Sequence, residues 1–465
     1  MTWRLYRLKF NHAGTSFLRT IKKIAPNNEL VAYEKNTDIS FLGCGIALWV
    51  GGEFESPDGL FYSSIKELKS HGINIKIARE VIEVNRSEKY VVVKDLVTGK
   101  TFIDHYDKLV YAMEPDQLSP KCENVNLENI LVSKIYPITK EIKQKALCPK
   151  IKNVVIIGAG YIGVELVEAF NKYGKKVTLI DMQKRIIPNY FDKEFTDKIE
   201  LKMKEQGINL QLGETVQKFE TKDQKTVSSV VTNKGIYEAD LVILAIGFKP
   251  QTKLLPDVEK TLNGVIKVDK FQRSLTDKDI YVIGDAASMV NNVTKEYCHI
   301  ALATNAVKTG IVAAFHLAGS EAIPFPGYSG TNAISVFDFN YASTGLTETM
   351  KFKKYDHIKE NFAIEYFEDN DRPEFMKHHY KVWFKIIYDK TTLKLLGAQI
   401  GSEGKTANHT EVMYMLSLAI QDGLTLPQIA LMDYYFLPHF NKPFNFIIQT
   451  ILNAWILNIM KNNNK

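Results

Sequence analysis

Short apolar runs that stop at glycine or at an acidic residue alternate with stretches of helical periodicity along the first part of this chain. Val154–Ile157 is a continuous apolar run, the pattern of a strand buried on both faces. It ends in Gly158-Ala-Gly160-Tyr-Ile-Gly163, a helical pattern follows through Phe170, and after Gly174 a second run, Val177–Ile180, stops at Asp181. This order predicts strand, glycine turn, helix, strand and acid. Gly158 permits the tight turn, Gly160 lets a pyrophosphate approach the backbone, and Gly163 lets the helix pack on the sheet. The helix N-terminus faces the phosphates, and Asp181, about 20 residues on, can accept both ribose hydroxyls. A carboxylate there repels a 2′-phosphate, so the unit is expected to take NAD rather than NADP.

Around this unit the pattern predicts further α/β structure. A helix over Phe17–Ile24 leads to a strand, Leu30–Tyr33, that ends at Glu34, and more strands are predicted at Tyr90–Lys94, Lys108–Tyr111, Leu241–Ile246 and Ile280–Ile283. A helix is predicted over Ala301–Leu317. Pro324, Pro326 and Gly327 mark a boundary, beyond which Tyr380–Tyr388 and Leu393–Ile400 read as alternating, amphipathic strands, with helices after Thr410. The predicted fold class is α/β: two Rossmann-like nucleotide-binding domains followed by a C-terminal α+β domain. The expected boundaries are residues 1–120 and 252–325 for a discontinuous first domain, 121–251 for the inserted one, and 326–465 for the last.

Composition narrows the classes. A chain of 465 residues with 45% hydrophobic and 24% charged residues describes an ordinary globular protein. The net charge of +6 is spread rather than gathered on a stripe, which argues against a nucleic-acid partner. The N-terminal MTWRLYRLKF has no apolar segment of signal-peptide type. Phe446–Met460, interrupted by Gln449, Asn453 and Asn458, is too short to span a bilayer and reads as a core or interface helix. Cys44, Cys122, Cys148 and Cys298 lie far apart without zinc spacing, as suits a reducing cytoplasm.

A second nucleotide site is written less cleanly. His12-Ala-Gly14-Thr15, a helical segment and a strand ending at Glu34 repeat the logic of the first, with Gly14 as third glycine and Glu34 as the ribose acid. Lys9 stands where the first glycine should fall, and Arg4 and Arg7 interrupt the preceding run. Asp285, at the end of Tyr281-Val-Ile-Gly-Asp, places a carboxylate where it could bind a ribityl or ribose hydroxyl. Cys44, between Gly43 and Gly45, sits on a tight turn opening a helix, and a helix N-terminus is expected to lower a thiol pKa.

With these residues in hand the chain resembles the pyridine nucleotide–disulfide oxidoreductases and, among them, the water-forming NADH oxidases. The resemblance rests on Asn11–Ser16 (NHAGTS), Ser40–Gly52 (SFLGCGIALWVGG), GAGYIG, Ala245–Pro250 (AIGFKP), Tyr281–Ala286 (YVIGDA), Ala301–Gly310 (ALATNAVKTG), Tyr341–Gly345 (YASTG) and Leu437–Pro443 (LPHFNKP). It covers nearly the whole chain in order. It implies an FAD domain, an inserted NAD domain, a dimerisation domain and a homodimer. Carried over, Cys44 is the redox-active cysteine, cycling between thiolate and sulfenate, and His12 its acid/base partner. Asn11, Gly14, Thr15, Glu34, Ala112, Lys134, Asp285, Ala301, Leu302 and Ala303 would hold FAD. Gly158, Gly160, Tyr161, Ile162, Gly163, Asp181, Tyr190, Gly247 and Gly330 would serve NADH, with Tyr161 covering the flavin until nicotinamide displaces it.

Disulfide reductases of this class carry a second cysteine five positions after the first, where this chain has Trp49. A lone thiol leaves a sulfenic acid or a mixed disulfide with a small thiol. The first implies reduction of O2 to water by two NADH. The second belongs to the alternatives, a coenzyme A-disulfide reductase or an NADH peroxidase. Ala112-Met-Glu-Pro115 departs from the family's Ala-Thr-Gly, and with Lys9 it reads either as a local shift of reading frame or as a real site of weakened FAD affinity.

Overall fold

The computed structural model describes residues 12–350, 358, 360–404 and 406–463. Lys9, Asn11 and the run holding Arg4 and Arg7 lie outside the described residues.

A five-stranded parallel sheet is built from the glycine-turn unit, in the order Asn209–Leu212, Lys176–Asp181, Asn153–Ile157, Leu241–Leu244, Ile130–Val132. The run Val154–Ile157 lies at its centre because it is apolar throughout, and all four of its residues are buried. The helix Tyr161–Asn171 packs against this sheet through Val164, Val167 and Phe170. Burying each such side chain contributes about 1.5–3 kcal/mol. Val216–Thr221, Val227–Thr232 and Ile236–Glu238 add a three-stranded antiparallel sheet.

On either side of these elements in sequence the chain forms one further unit. Ile280–Val282 pairs in parallel with Leu109–Tyr111, and Val31–Tyr33 with Asn74–Lys76. The helices His12–Ile24 and Ala303–Leu317 lie against each other. Gly310 makes that contact possible, since a methyl there would come within 2.2 Å of the Ala13 carbonyl oxygen. A second antiparallel sheet, Arg79–Asn85, Tyr90–Asp95 and Thr101–His105, completes the unit.

The C-terminal sheet is antiparallel, in the order Asn332–Val336, Phe339–Gly345, Leu395–Glu403, Lys381–Asp389, Phe362–Asn370. Its strands correct the amphipathic expectation. Val382 through Tyr388 are all buried, because both faces of the sheet are covered. Val382, Phe384 and Ile386 pack with the helices Val412–Asp422 and Phe446–Asn463. Trp383, with Phe339 and Tyr341, joins the core of the parallel-sheet unit. No helix among the described residues is long and apolar enough to cross a membrane.

Candidate functional site

A continuous cleft of about 1970 Å³ runs from the glycine turn of the parallel sheet to Cys44, with residues of the C-terminal sheet also in its wall. At one end Gly158 turns at φ +108°, and a side chain there would press within 2.4 Å of the Ala245 carbonyl oxygen. Gly160 caps the helix Tyr161–Asn171, and a methyl on it would meet nothing within 4 Å. The first helical N–H groups therefore open onto the cleft with a clear approach for an anion. Asp181 closes this end: one carboxylate oxygen accepts the Ala159 N–H at 2.6 Å, the other the Gln183 N–H at 2.6 Å. Gly163 sits behind the wall, where a methyl would stand 1.8 Å from the Gly158 carbonyl oxygen. Gly163→Ala is accordingly expected to destabilise the fold by about 1–3 kcal/mol in a thermal melt, and to weaken NADH binding.

Tyr161 and Tyr190 stack in the middle of the cleft, with centroids 4.5 Å apart and planes 25° apart. The Tyr161 hydroxyl donates to Asn332 Oδ1 on the first strand of the C-terminal sheet. Glu165, one turn beyond Tyr161 on the same helix face, also lines the cleft. Burial, reinforced by Glu168, pushes its carboxyl up to about 7.

At the far end His12, Glu34, Cys44 and Asp285 line the same space. The His12 ring stacks on Tyr62 at 5.0 Å with planes 7° apart. Glu34 is buried and accepts the Asn36 N–H at 2.8 Å. Asp285 is pushed up to about 6 by burial, with the Glu114 carboxylate adding to it and Lys134 opposing. Lys134 lies 4.9 Å above the Phe248 ring and donates to the Pro115 carbonyl oxygen.

Cys44 corrects one expectation. It lies in a 3-10 turn, Gly43–Gly45, ahead of a helix of only five residues, Ile46–Val50. The thiol is open to the cleft, yet the cleft is deep and acidic. Burial, then Glu165, then Asp285 raise its pKa, and its own backbone hydrogen bond recovers only part. So short a helix supplies too little dipole to reverse this. Trp49, where a second cysteine would stand, is buried, stacks on Tyr136 at 5.9 Å and donates to the Glu55 carbonyl oxygen. All four cysteines are free thiols.

Of the residues expected to meet FAD or NADH, the cleft gathers Glu34, Lys134, Asp285, Ala301, Leu302, Ala303, Gly158, Gly160, Tyr161, Ile162, Asp181, Tyr190 and Gly247 in its wall. Gly14, Thr15 and Ala112 are buried behind it, and Gly330, whose carbonyl accepts from Asn332, stands beside its rim residue Thr331. Four polar atoms that sequence reading did not single out are buried in the wall without a protein partner among the described residues: Gln117 Oε1, Ser133 Oγ, Thr261 Oγ1 and His299 Nε2. Buried polar atoms ordinarily have partners, so these atoms fit a cleft that takes a polar ligand. No spacing signal announces them. Glu165 could have been found from its i, i+4 relation to Tyr161.

Comparison with known proteins gives this geometry a family. Residues 11–310 match the model for pyridine nucleotide-disulphide oxidoreductases, and residues 331–445 the dimerisation domain of the same family. The chain belongs to the pyridine nucleotide-disulphide oxidoreductase family. Among its relatives is an NADH oxidase of Mycoplasma pneumoniae, 43% identical over 466 residues and 96% of each chain. A CoA-dependent NAD(P)H sulfur oxidoreductase of Pyrococcus abyssi is 35% identical over 84% of this chain and 85% of that one. Among solved structures, a water-forming NADH oxidase from Lactobacillus brevis bound to NADH superposes with a TM-score of 0.93 at 34% identity, covering 99% of this chain and 100% of that one.

Proposed function

We propose that this oxidoreductase is an FAD-dependent NADH oxidase that reduces O2 to water, 2 NADH + O2 + 2 H⁺ → 2 NAD⁺ + 2 H2O. One observation carries the reading: a single cleft joins the dinucleotide turn to the free thiol of Cys44, five residues after which stands Trp49 rather than a second cysteine. Asp181 in place of a group that tolerates a 2′-phosphate supports NADH as the reductant. The names of the relatives and the NADH-bound neighbour support the same assignment.

FAD, when bound, supplies the two-electron carrier between nicotinamide and oxygen. Glu34 and Asp285 are the acids suited to its hydroxyl groups, and Gln117, Ser133 and His299 offer the unpaired polar atoms. Asp181 holds the NADH ribose and the Gly160 helix end its pyrophosphate. Tyr161 and Tyr190, stacked in the middle of the cleft, would stand beside the entering nicotinamide. Cys44 then consumes the hydrogen peroxide made from O2 and the first NADH. Its thiolate attacks one peroxide oxygen, the S–O bond forms as the O–O bond breaks, and His12 protonates the leaving oxygen to water. The sulfenic acid takes the electron pair of the second NADH, releasing the other oxygen as water and restoring the thiolate. Burial and the surrounding acids hold the Cys44 thiol towards its protonated form, so a proton must leave sulfur before the attack, and His12 lines the same end of the cleft.

Leu431, Tyr435, Phe440 and Phe444, close together in the C-terminal part of the sequence, are exposed, and exposed apolar side chains that lie together mark interaction surfaces. Together with the dimerisation-domain match this supports a homodimer, and four free cysteines support a cytoplasmic setting. The test is NADH consumed per O2 by the purified holoprotein at an oxygen electrode, with two as the expected ratio. A ratio of one overturns water formation. Absence of oxygen uptake overturns the oxidase reading in favour of a coenzyme A-disulfide or peroxide substrate.

A further inference from the structure

Ile187 holds φ at +37° with almost no exposed surface. A β-branched residue in that region is an outlier, doubly so before a proline, and it persists only where its surroundings over-determine it. Ile187 begins the turn that carries Tyr190 into the cleft. Its own N–H donates to the Ala159 carbonyl oxygen inside the glycine turn, at 2.8 Å.

What over-determines the turn comes from the C-terminal sheet and from the segment that follows its strand Phe339–Gly345. Thr349 Oγ1 donates to the Pro188 carbonyl oxygen at 2.5 Å, and the Glu348 N–H donates to Asp192 Oδ1 at 2.9 Å. Gln399 grips Asp192 twice, accepting its N–H at 2.7 Å and donating to its Oδ2 at 2.5 Å. Lys385 has no exposed side-chain surface. Its Nζ lies 3.2 Å from Asp192 Oδ2 and 3.0 Å from Glu194 Oε1, and it also donates to Glu348. Burial opposes the ammonium charge, but the three carboxylates outweigh it and hold its pKa above the ordinary value. Tyr161, the ring under Tyr190, is tied to the same sheet through Asn332.

We propose that Lys385 is a positioning residue for the nicotinamide end of the cleft: by neutralising Asp192 inside the interface it lets the C-terminal sheet hold the Ile187–Asp192 turn, and so Tyr190 against Tyr161. This rests on the reading above that nicotinamide enters beside Tyr161. A packing role alone would lower stability and leave the cofactor constants together. A positioning role separates them.

The experiment uses the holoenzyme. Lys385→Met is expected to raise KM for NADH about tenfold with kcat changed by less than about threefold, and to weaken NAD⁺ binding by the same factor in calorimetry, in line with one or two lost charge-assisted hydrogen bonds. Gln399→Met removes both grips on Asp192 and strands no charge. It is expected to fold and to raise KM for NADH about threefold, and it decides the matter if Lys385→Met does not fold. Folded variants whose KM and NAD⁺ affinity stay within about twofold of wild type, or whose kcat alone falls, overturn the proposal. Failure of wild type to take up oxygen would remove the oxidase reading, while the NAD⁺ titration would still decide the role of Lys385.

Discussion

Replacing Cys44 with serine is expected to halve the NADH consumed per O2, from two to one, and to release one H2O2 for every O2 taken up. The alcohol has the shape of the thiol but not its chemistry: serine cannot be oxidised at oxygen to an analogue of the sulfenic acid, so the O–O bond is left intact. NADH binding depends on the glycine turn and Asp181, at the other end of the cleft, so oxygen uptake should continue within about tenfold of the wild-type rate. An oxygen electrode with and without catalase, beside a peroxide assay, reads both products. A Cys44→Ser enzyme that still consumes two NADH per O2 would place peroxide cleavage elsewhere. A Cys44→Ser enzyme with no uptake would mean the thiol acts before oxygen does. His12→Gln should shift the ratio in the same direction but less far, because proton supply is slowed while the nucleophile remains.

The parts of this molecule legible in the sequence are those where the backbone leaves no choice. Gly158 must be glycine because its φ is +108° and a carbonyl lies against it; Gly163 must be glycine because a carbonyl fills the space of its side chain. Such constraints write themselves into adjacent residues, and the run from Val154 to Asp181 could be read directly. The two antiparallel sheets at 79–105 and 216–238 are mostly illegible in the sequence, because many of their residues are half-exposed or exposed on both faces, so no strong period marks them.

Context also reverses local rules. A cysteine between two glycines ahead of a helix suggested an acidic thiol, but Glu165 and Asp285 reach Cys44 from segments far along the chain and raise its pKa instead. Lys385 shows the limit most plainly. In the sequence it is a lone charge in an apolar strand, and its partners Glu194 and Asp192 lie nearly 200 residues away. Only the packing of two sheets explains why it is tolerated there.

The departure at Met113-Glu114-Pro115 has a measurable consequence at Asp285. Burial, with Glu114 adding to it and Lys134 opposing, pushes that carboxyl up to about 6 from an ordinary 3.8. The sign follows from linkage. Below about pH 4 folded and unfolded chains both hold the proton; from there to about pH 6 the unfolded chain gives it up first; above that the folded chain carries a buried anion it disfavours. The charge therefore costs the FAD-free protein stability that grows from pH 4 to 6 and is constant above, at most about 3 kcal/mol, from roughly two units at 1.36 kcal/mol each. Asp285→Asn removes that cost. Urea denaturation of FAD-stripped protein at pH 8 is expected to show the variant more stable than wild type, with the difference vanishing at pH 4. FAD affinity should move the opposite way, by about tenfold to a hundredfold, since a carboxylate bonded to a cofactor hydroxyl is worth about 1.5–3 kcal/mol. A variant less stable at pH 8, or one that keeps its flavin, would show that Asp285 is there for packing. Opposite signs in the two measurements would show a residue kept for the cofactor at the expense of the fold.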